Sequence, residues 1–200
     1  MEPILHEGNL AMIYAKRGVG KTFASLEVAF AVASSGSMFN GRWKAQNPRK
    51  VLFVDGEMPV ITIKERLATI ISNADIKEFN PEYLQILTPD LQEQEMPDIA
   101  TAEGQNAVNE FIEEGTALVI IDNLSTLART GRGNESESWI PVQEWILSLR
   151  RRSIAVLIIH HAGKSGEQRG NSKKEDILDT VIKLERPSDY KSEEGARLKN

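Results

Sequence analysis

Six short apolar runs, separated by segments with helical periodicity, are the feature that most constrains the fold of this 200-residue chain. Each run has the length and the aliphatic content of a buried strand. The predicted strands cover residues 9–15, 51–55, 83–87, 117–122, 154–161 and 180–185. Strands that alternate with helices favour a mostly parallel sheet with helices on both faces. The sequence therefore predicts an α/β fold.

Four of the segments between these runs repeat apolar residues at helical spacing. The first predicted helix begins at Lys21 and ends near Gly36, a suitable C-cap. The others cover 60–71, 102–114 and 139–152. Residues 88–100 and 128–138, and the polar stretch from 162 to about 172, have the composition of loops.

Composition narrows the classes of function. The chain has no cysteine, which excludes disulfides and thiolate metal sites, and its 40% apolar content is enough for one substantial core. No apolar run approaches the ~20 residues of a membrane span, and the first residues show no signal peptide. We therefore expect a cytoplasmic protein without a membrane partner. A net charge of -5 argues against nonspecific coating of nucleic acid, though not against a few local contacts.

The segment between the first strand and the first helix reads AKRGVGKT. It matches the phosphate-loop pattern G-x-x-x-x-G-K-[ST], except that alanine stands at the first glycine. Such a substitution is mild when that position has ordinary strand-end backbone angles. The alternative is a solvated basic turn, but a strand before the loop and a helix after it favour nucleotide binding. The predicted loop comprises Ala15, Lys16, Arg17, Gly18, Val19, Gly20, Lys21 and Thr22.

Each part of this loop has a predicted role toward ATP. The backbone N–H groups of residues 18–22 would surround the α- and β-phosphates, assisted by the helix dipole. Lys21 would reach the β- and γ-oxygens, and the Thr22 hydroxyl would bind Mg²⁺. Asp122, which closes the strand LVIID, would hold the water shell of the magnesium ion. The alternative for Asp122 is a strand-end residue that caps a turn.

ATP hydrolysis also requires a group that orients the attacking water. The sequence VDGEMP offers two carboxylates at one strand end, Asp55 and Glu57, with Gly56 allowing a tight turn between them. We favour Glu57 as the general base, because no acid directly follows Asp122 on its own strand. The alternative is that Glu57 is only an exposed turn residue.

A glutamate on the strand after the phosphate-loop helix, with Asp122 on a later strand, resembles the RecA-like branch of P-loop ATPases. The tail HHAGKSGEQRGNSKKEDILDTVIKLER is similar to plasmid RepA-type hexameric replicative helicases and to related phage and bacterial AAA-type ATPases. The corresponding features are His160-His161, the glycines Gly163 to Gly166, Arg169-Gly170-Asn171-Ser172, and Asp176. The resemblance covers residues 9–186 and implies one RecA-like domain over 1–200, truncated at its C-terminal end.

The resemblance implies further site residues. His161 matches a polar residue that senses the γ-phosphate and signals to a DNA-binding loop, while His160 is expected to pack locally. Neighbouring strand residues point to opposite faces, so the pair is poorly placed to share a zinc ion. Arg169, with Lys164 as second candidate, would reach the γ-phosphate of a neighbouring subunit. A basic residue with this role is called an arginine finger. In this family the finger can also lie on a later strand, which this chain does not complete.

The resemblance also implies a homo-hexamer that acts on single-stranded DNA. DNA contacts would come from the loops 128–138 and 162–174, through Arg129, Arg132, Lys173 and Lys174. The expected function is an ATP-dependent DNA helicase in plasmid or phage replication. The alternative is a RecA-like ATPase with a regulatory or partner-binding role and no unwinding activity. A small-molecule kinase is disfavoured, because no arginine-rich lid is visible.

Overall fold

A computed structural model of the chain describes residues 1–39, 41–74, 76, 79–130, 135–162 and 176–186, and of residues 135–137 the backbone alone. The strands are β1 (Leu10–Ala15), β2 (Ser37–Met38), β3 (Trp43–Lys44), β4 (Lys50–Asp55), β5 (Leu84–Leu87), β6 (Thr116–Asp122), β7 (Ala155–His161) and β8 (Thr180–Lys183). The helices are α1 (Lys21–Ser34), α2 (Val60–Asn73), α3 (Ala102–Asn109), α4 (Leu124–Leu127) and α5 (Glu135–Arg151), and short 3₁₀ turns cover Pro81–Tyr83 and Pro89–Leu91.

Six of the strands form one sheet in the order β5-β4-β6-β7-β1-β8. Every neighbouring pair in this sheet is parallel. Parallel register brings the carboxyl ends of the strands to one edge, where Asp55 lies opposite Asp122 and Ala15 lies opposite His161. The predicted α/β fold with a parallel central sheet is confirmed.

Helices cover both faces of the sheet. Alternate strand residues point to opposite faces, so Phe53 of β4 packs with α1 and α2, whereas Val54 packs with α5. On the α1–α2 face the helices contribute Leu26, Phe30, Ile63 and Ile70, and on the other face α5 contributes Trp139, Val142, Trp145, Ile146 and Leu149. The four inner strands, β4, β6, β7 and β1, are therefore buried on both sides, which explains their continuous apolar sequences.

Several predicted boundaries are wrong. Helix α3 ends at Asn109 rather than at 114, because the amides of Phe111 and Ile112 bond to carbonyls three residues back and the chain turns Ile112 into the core. Helix α5 begins at Glu135, so the end of the predicted loop 128–138 is helical. The short helix α4 was not predicted. Its N-cap is Asn123, whose side-chain oxygen accepts hydrogen bonds from the amides of Ser125 (3.0 Å) and Thr126 (3.3 Å).

The hairpin of β2 and β3 was also not predicted. It buries Trp43, whose ring lies edge-on to Phe39 with the ring centroids 4.6 Å apart. Helix α1 ends one residue earlier than expected, with Ser35 in the left-handed conformation and the Gly36 amide donating to the Ala31 carbonyl at 2.7 Å. Among the helices that the structure describes, none is both long and apolar enough to cross a bilayer.

Candidate functional site

Four strand ends meet at the carboxyl edge of the sheet, and their last residues face the same side. These residues are Ala15 of β1, Asp55 of β4, Asp122 of β6 and His161 of β7. The alternation along each strand directs all four toward α1 and α2 rather than toward α5. Ligands of parallel α/β sheets bind at this edge, so the candidate site has the position expected for the fold.

The glycine-containing loop between β1 and α1 has the backbone conformation that its sequence requires. Gly18 and Gly20 have φ angles of 77° and 105°, which side chains rarely adopt, and no atom lies within 4 Å of where their Cβ atoms would stand. Ala15 is the last residue of β1 and is not among the residues with positive φ. The missing first glycine therefore causes no strain.

The N-terminus of α1 is open toward this loop. Gly20 is its N-cap and supplies no side-chain hydrogen bond, and the first turn carries no acidic residue. The first N–H groups of a helix have no partner within the helix, and they carry the positive end of its dipole. This arrangement leaves backbone donors directed at the space above Gly18 and Gly20, where an anion such as a phosphate can bind.

Lys21 is almost fully buried, with 6% of its surface exposed. Its ammonium group donates hydrogen bonds to the carbonyls of Ala15 (3.0 Å) and Lys16 (3.1 Å) and thus closes the loop from within. Burial lowers the pKa of Lys21, while the carboxylates of Asp122 and Glu57 raise it. The Lys21 side chain therefore lies within the electrostatic influence of two acids at the edge of the sheet.

Asp122 is 3% exposed and lies against the first turn of α1. Its Oδ2 atom accepts a hydrogen bond from the Ser25 hydroxyl at 3.0 Å. Burial raises the pKa of Asp122 to about 6, with a further increase from the charge of Asp55, whereas hydrogen bonds from Thr22 and Ser25 lower it. Sequence analysis did not identify Ser25. Its spacing of three residues from Thr22 was the available signal, because residues i and i+3 share a helix face.

Asp55, the last residue of β4, and Glu57, in the turn after it, differ in their exposure to water. Asp55 is 1% exposed, and its Oδ1 atom accepts hydrogen bonds from the amides of Glu57 and Met58. Burial raises the pKa of Asp55, and the two amide bonds lower it. Glu57 is exposed, and its charge acts on Lys21, Asp55 and Asp122. Of the two carboxylates, Glu57 is therefore the one that water can reach.

The oxygen atoms of this edge fit a magnesium ion. Asp55 and Asp122 are buried side by side, and Oδ2 of Asp55 has no hydrogen-bond partner among the described residues. Two adjacent buried carboxylates are costly without a cation, and Mg²⁺ prefers carboxylate and hydroxyl oxygens such as that of Thr22. No group of three or more His, Cys, Asp or Glu side chains able to hold a metal occurs in the described residues. Further ligands would have to come from phosphate and water.

The two histidines at the end of β7 lie on different faces of the sheet. His160 is 3% exposed and packs on the α5 side, as expected for a locally packed residue. His161 is half-buried on the α1 side, next to Ala15. A role for His161 toward a bound phosphate stays a prediction, with a position that suits it.

Comparison with known proteins identifies the family. A family model described as an AAA domain, AAA_25, matches residues 1–167. The chain belongs to this AAA domain family. It is also similar to the DNA repair protein RadA of Campylobacter jejuni subsp. jejuni serotype O:2, with 29% identity over 185 residues, which is 90% of this chain and 34% of RadA. The AAA domain thus spans about a third of the length of that curated relative.

Among solved structures, the RadB recombinase is similar to this AAA domain, with a TM-score of 0.49 and 17% identity over 78% of this chain and 63% of RadB. Together with the phosphate loop, family membership supports a RecA-like P-loop ATPase.

The predicted nucleic-acid contacts fall in two groups. Arg129 is held within the fold, because its guanidinium donates to the Met96 carbonyl at 2.6 Å and its amide donates to Asp98 at 2.9 Å. The remaining candidates for DNA contact or for the finger lie outside the described residues: Arg132, Lys164, Arg169, Lys173 and Lys174.

One basic residue near the phosphate loop was missed by sequence analysis. Arg186, just after β8, donates to the Gly18 carbonyl at 3.3 Å. The contact arises because β8 lies beside β1 in the sheet, and no local sequence pattern indicates that neighbourhood.

Proposed function

We propose that this AAA domain hydrolyses ATP with Mg²⁺ and is a motor on single-stranded DNA of the RepA-type replicative helicase class, in plasmid or phage replication. The observation that carries the proposal is the convergence at one sheet edge of an uncapped helix N-terminus, the buried Lys21 ammonium, the Asp122 carboxylate and the exposed Glu57. These are the groups that phosphoryl transfer to water requires.

The phosphate loop would bind and orient the triphosphate. Amides of residues 18–22 provide donors for its oxygens, and Lys21 provides a positive charge near the β- and γ-phosphates. To do so, the Lys21 ammonium would exchange at least one of its bonds to the Ala15 and Lys16 carbonyls for a phosphate oxygen. Because the lysine is already buried beside the loop, little side-chain reorganisation is needed.

Thr22 and Asp122 would hold the magnesium ion, which when bound neutralises charge that develops on the phosphate oxygens. Thr22 offers its hydroxyl, and Asp122 offers a carboxylate that Ser25 fixes in place. Glu57 would then accept a proton from the attacking water, since it is the accessible acid of the site.

ATP hydrolysis would be coupled to DNA binding through elements that begin at the ATPase site. Helix α4 begins two residues after Asp122 and leads to residue 128, where the predicted DNA loop starts. His161 would sense the γ-phosphate from the neighbouring strand end. A homo-hexamer would place these loops, with Arg129, Arg132, Lys173 and Lys174, around a channel, and would bring Arg169 or Lys164 to the next subunit. A cytoplasmic location is part of the same proposal.

A second candidate is a RecA-like ATPase that regulates or binds partners without unwinding DNA. The bond between Arg129 and the Met96 carbonyl favours it, because a guanidinium held within the fold is less available to DNA phosphates. The two candidates share the ATPase site and differ only in the response to DNA.

The test measures ATP turnover with and without single-stranded DNA, together with the mass of the oligomer. Stimulation by DNA in a hexamer supports the motor, whereas turnover that ignores DNA supports the regulatory candidate. We expect Lys21→Ala to abolish nucleotide binding or turnover, and normal hydrolysis by that variant would refute the loop assignment.

We expect Glu57→Gln to bind ATP and to lose turnover by about 10²- to 10⁴-fold, the contribution typical of a general base. Loss of binding instead would make Glu57 structural. Arg169→Ala subunits mixed with wild-type subunits should reduce turnover of the mixed assembly, and an unchanged rate would remove Arg169 as the finger.

A further inference from the structure

The turn that carries Glu57 is hydrogen-bonded, through the first residue of the turn, to β6, the strand that ends at Asp122. The Gly56 amide donates to the Asp122 carbonyl at 2.8 Å. The next two amides, those of Glu57 (2.8 Å) and Met58, both donate to Oδ1 of Asp55. Three successive N–H groups are therefore fixed by two residues that are neighbours across the sheet.

The far side of the turn is fixed as well. The Thr88 hydroxyl, on a fully buried residue, donates to the Met58 carbonyl at 3.0 Å. The amide of Val60, at the start of α2, donates to Asp90 at 2.9 Å. The backbone on both sides of Glu57 is thus bonded, while the Glu57 side chain itself is exposed.

The turn is also packed tightly against α4. A Cβ atom on Gly56 would stand 2.3 Å from the Thr126 hydroxyl oxygen and 2.9 Å from Cγ of Leu127. Real Cβ atoms do not approach other atoms so closely, so the backbone at Gly56 lies in direct contact with α4. The turn therefore cannot shift toward α4 unless that helix moves.

We propose that Asp55 is a positioning residue for hydrolysis, which holds the Glu57 backbone through its two amide bonds so that the Glu57 carboxylate points at the attacking water. The inference rests on the proposed ATPase function and deepens it. Asp55 is 1% exposed, so its role is exerted through Glu57 rather than by contact with bulk water. Catalytic groups need this kind of support, because a misplacement of about 1 Å can cost about 10²-fold in rate.

Three variants separate positioning from charge. Asp55→Ala removes both amide bonds, and we expect kcat to fall by about 10- to 100-fold while the affinity for a fluorescent ATP analogue stays within about three-fold of wild type. Asp55→Asn keeps a carbonyl oxygen that can accept the same two amides but removes the negative charge beside Asp122. We therefore expect its kcat, measured at saturating Mg²⁺, to lie well above that of Asp55→Ala. If Asp55→Ala does not fold, Asp55→Val takes its place, since its side chain is closer in size to aspartate and has no atom that accepts a hydrogen bond.

A double-mutant cycle distinguishes positioning from a merely structural role. If Asp55 acts through Glu57, adding Asp55→Ala to Glu57→Gln should change the residual single-turnover rate by less than about two-fold. Asp179→Ala is the matched control. Asp179 accepts a backbone amide, that of Leu10, at 2.8 Å at the opposite edge of the sheet. Its loss should lower the unfolding midpoint and leave kcat unchanged.

Two results overturn the positioning role: rate losses of Asp55→Ala and Glu57→Gln that multiply, or an Asp55→Asn variant as slow as Asp55→Ala. Wild-type turnover in Glu57→Gln would overturn the base assignment and the positioning role together. A wild-type chain without ATP turnover would instead refute the proposed function. The failures are therefore distinguishable.

Discussion

The Asp122 carboxylate should make the nucleotide-free protein less stable at neutral pH, and its replacement by asparagine should relieve that cost. The folded protein holds this side chain 3% exposed and beside Asp55, and its pKa rises from 3.8 to about 6. An acid whose pKa is raised by folding is more protonated in the folded state than in the unfolded state. It therefore stabilises the fold below about pH 4, and this stabilisation is lost as the pH rises toward 6.

The magnitude follows from the shift. About two pKa units, at about 1.4 kcal/mol each, give a loss of about 3 kcal/mol between pH 4 and pH 7. An asparagine side chain at this position would keep an oxygen that accepts the Ser25 hydroxyl and would carry no charge. We expect the Asp122→Asn variant to match wild type near pH 4 and to be more stable by up to about 3 kcal/mol at pH 7. It should have lost metal-dependent ATP turnover.

The assay is urea unfolding of both proteins at several pH values, with a chelator and without nucleotide. The difference between the two unfolding free energies reports the titration of Asp122 together with its coupling to Asp55 and Lys21, because the remaining titrating groups are common to both. A difference that does not change with pH would refute the reasoning. So would a wild-type protein that is the more stable of the two above pH 6. Adding Mg²⁺ and a non-hydrolysable nucleotide should stabilise wild type more than the variant, which keeps the phosphate loop but lacks the carboxylate for the metal.

Three further substitutions test the site by stability and binding. Gly56→Ala should destabilise the fold by about 1 to 3 kcal/mol through overpacking against Thr126, and adding Thr126→Ala should recover part of this loss in urea unfolding. A Cβ atom at Gly20 would have open space, but the backbone there has a φ of 105°, which alanine rarely adopts. Gly20→Ala should therefore destabilise the fold by about 1 to 3 kcal/mol through backbone strain, which Thr126→Ala does not relieve. Ser25→Ala removes the hydroxyl bond to Asp122 and should raise the pKa of that acid further, which a shift to higher pH of the acidic limb of ATP turnover would report.

Much of the fold was predictable because its signals are local. Each buried strand is a continuous apolar run, and the loop between β1 and α1 carries its own glycines, lysine and threonine. The errors lie where local patterns are weak. Residues 110–114 have helical composition but form tight turns, and Asn123 begins a helix of one turn in a segment that follows a strand directly.

The sequence by itself determined the class of sheet, the phosphate loop and the residue types of the site. All of these depend on neighbours within a few positions of one another. Only the tertiary structure decided which of the two acids at the end of β4, Asp55 or Glu57, is buried and which is exposed, and that Ser25 bonds to Asp122. The burial, the pKa and the hydrogen-bond partners of these side chains depend on the spatial order of the strands in the sheet. That order brings together residues far apart in the chain, so no local pattern records it.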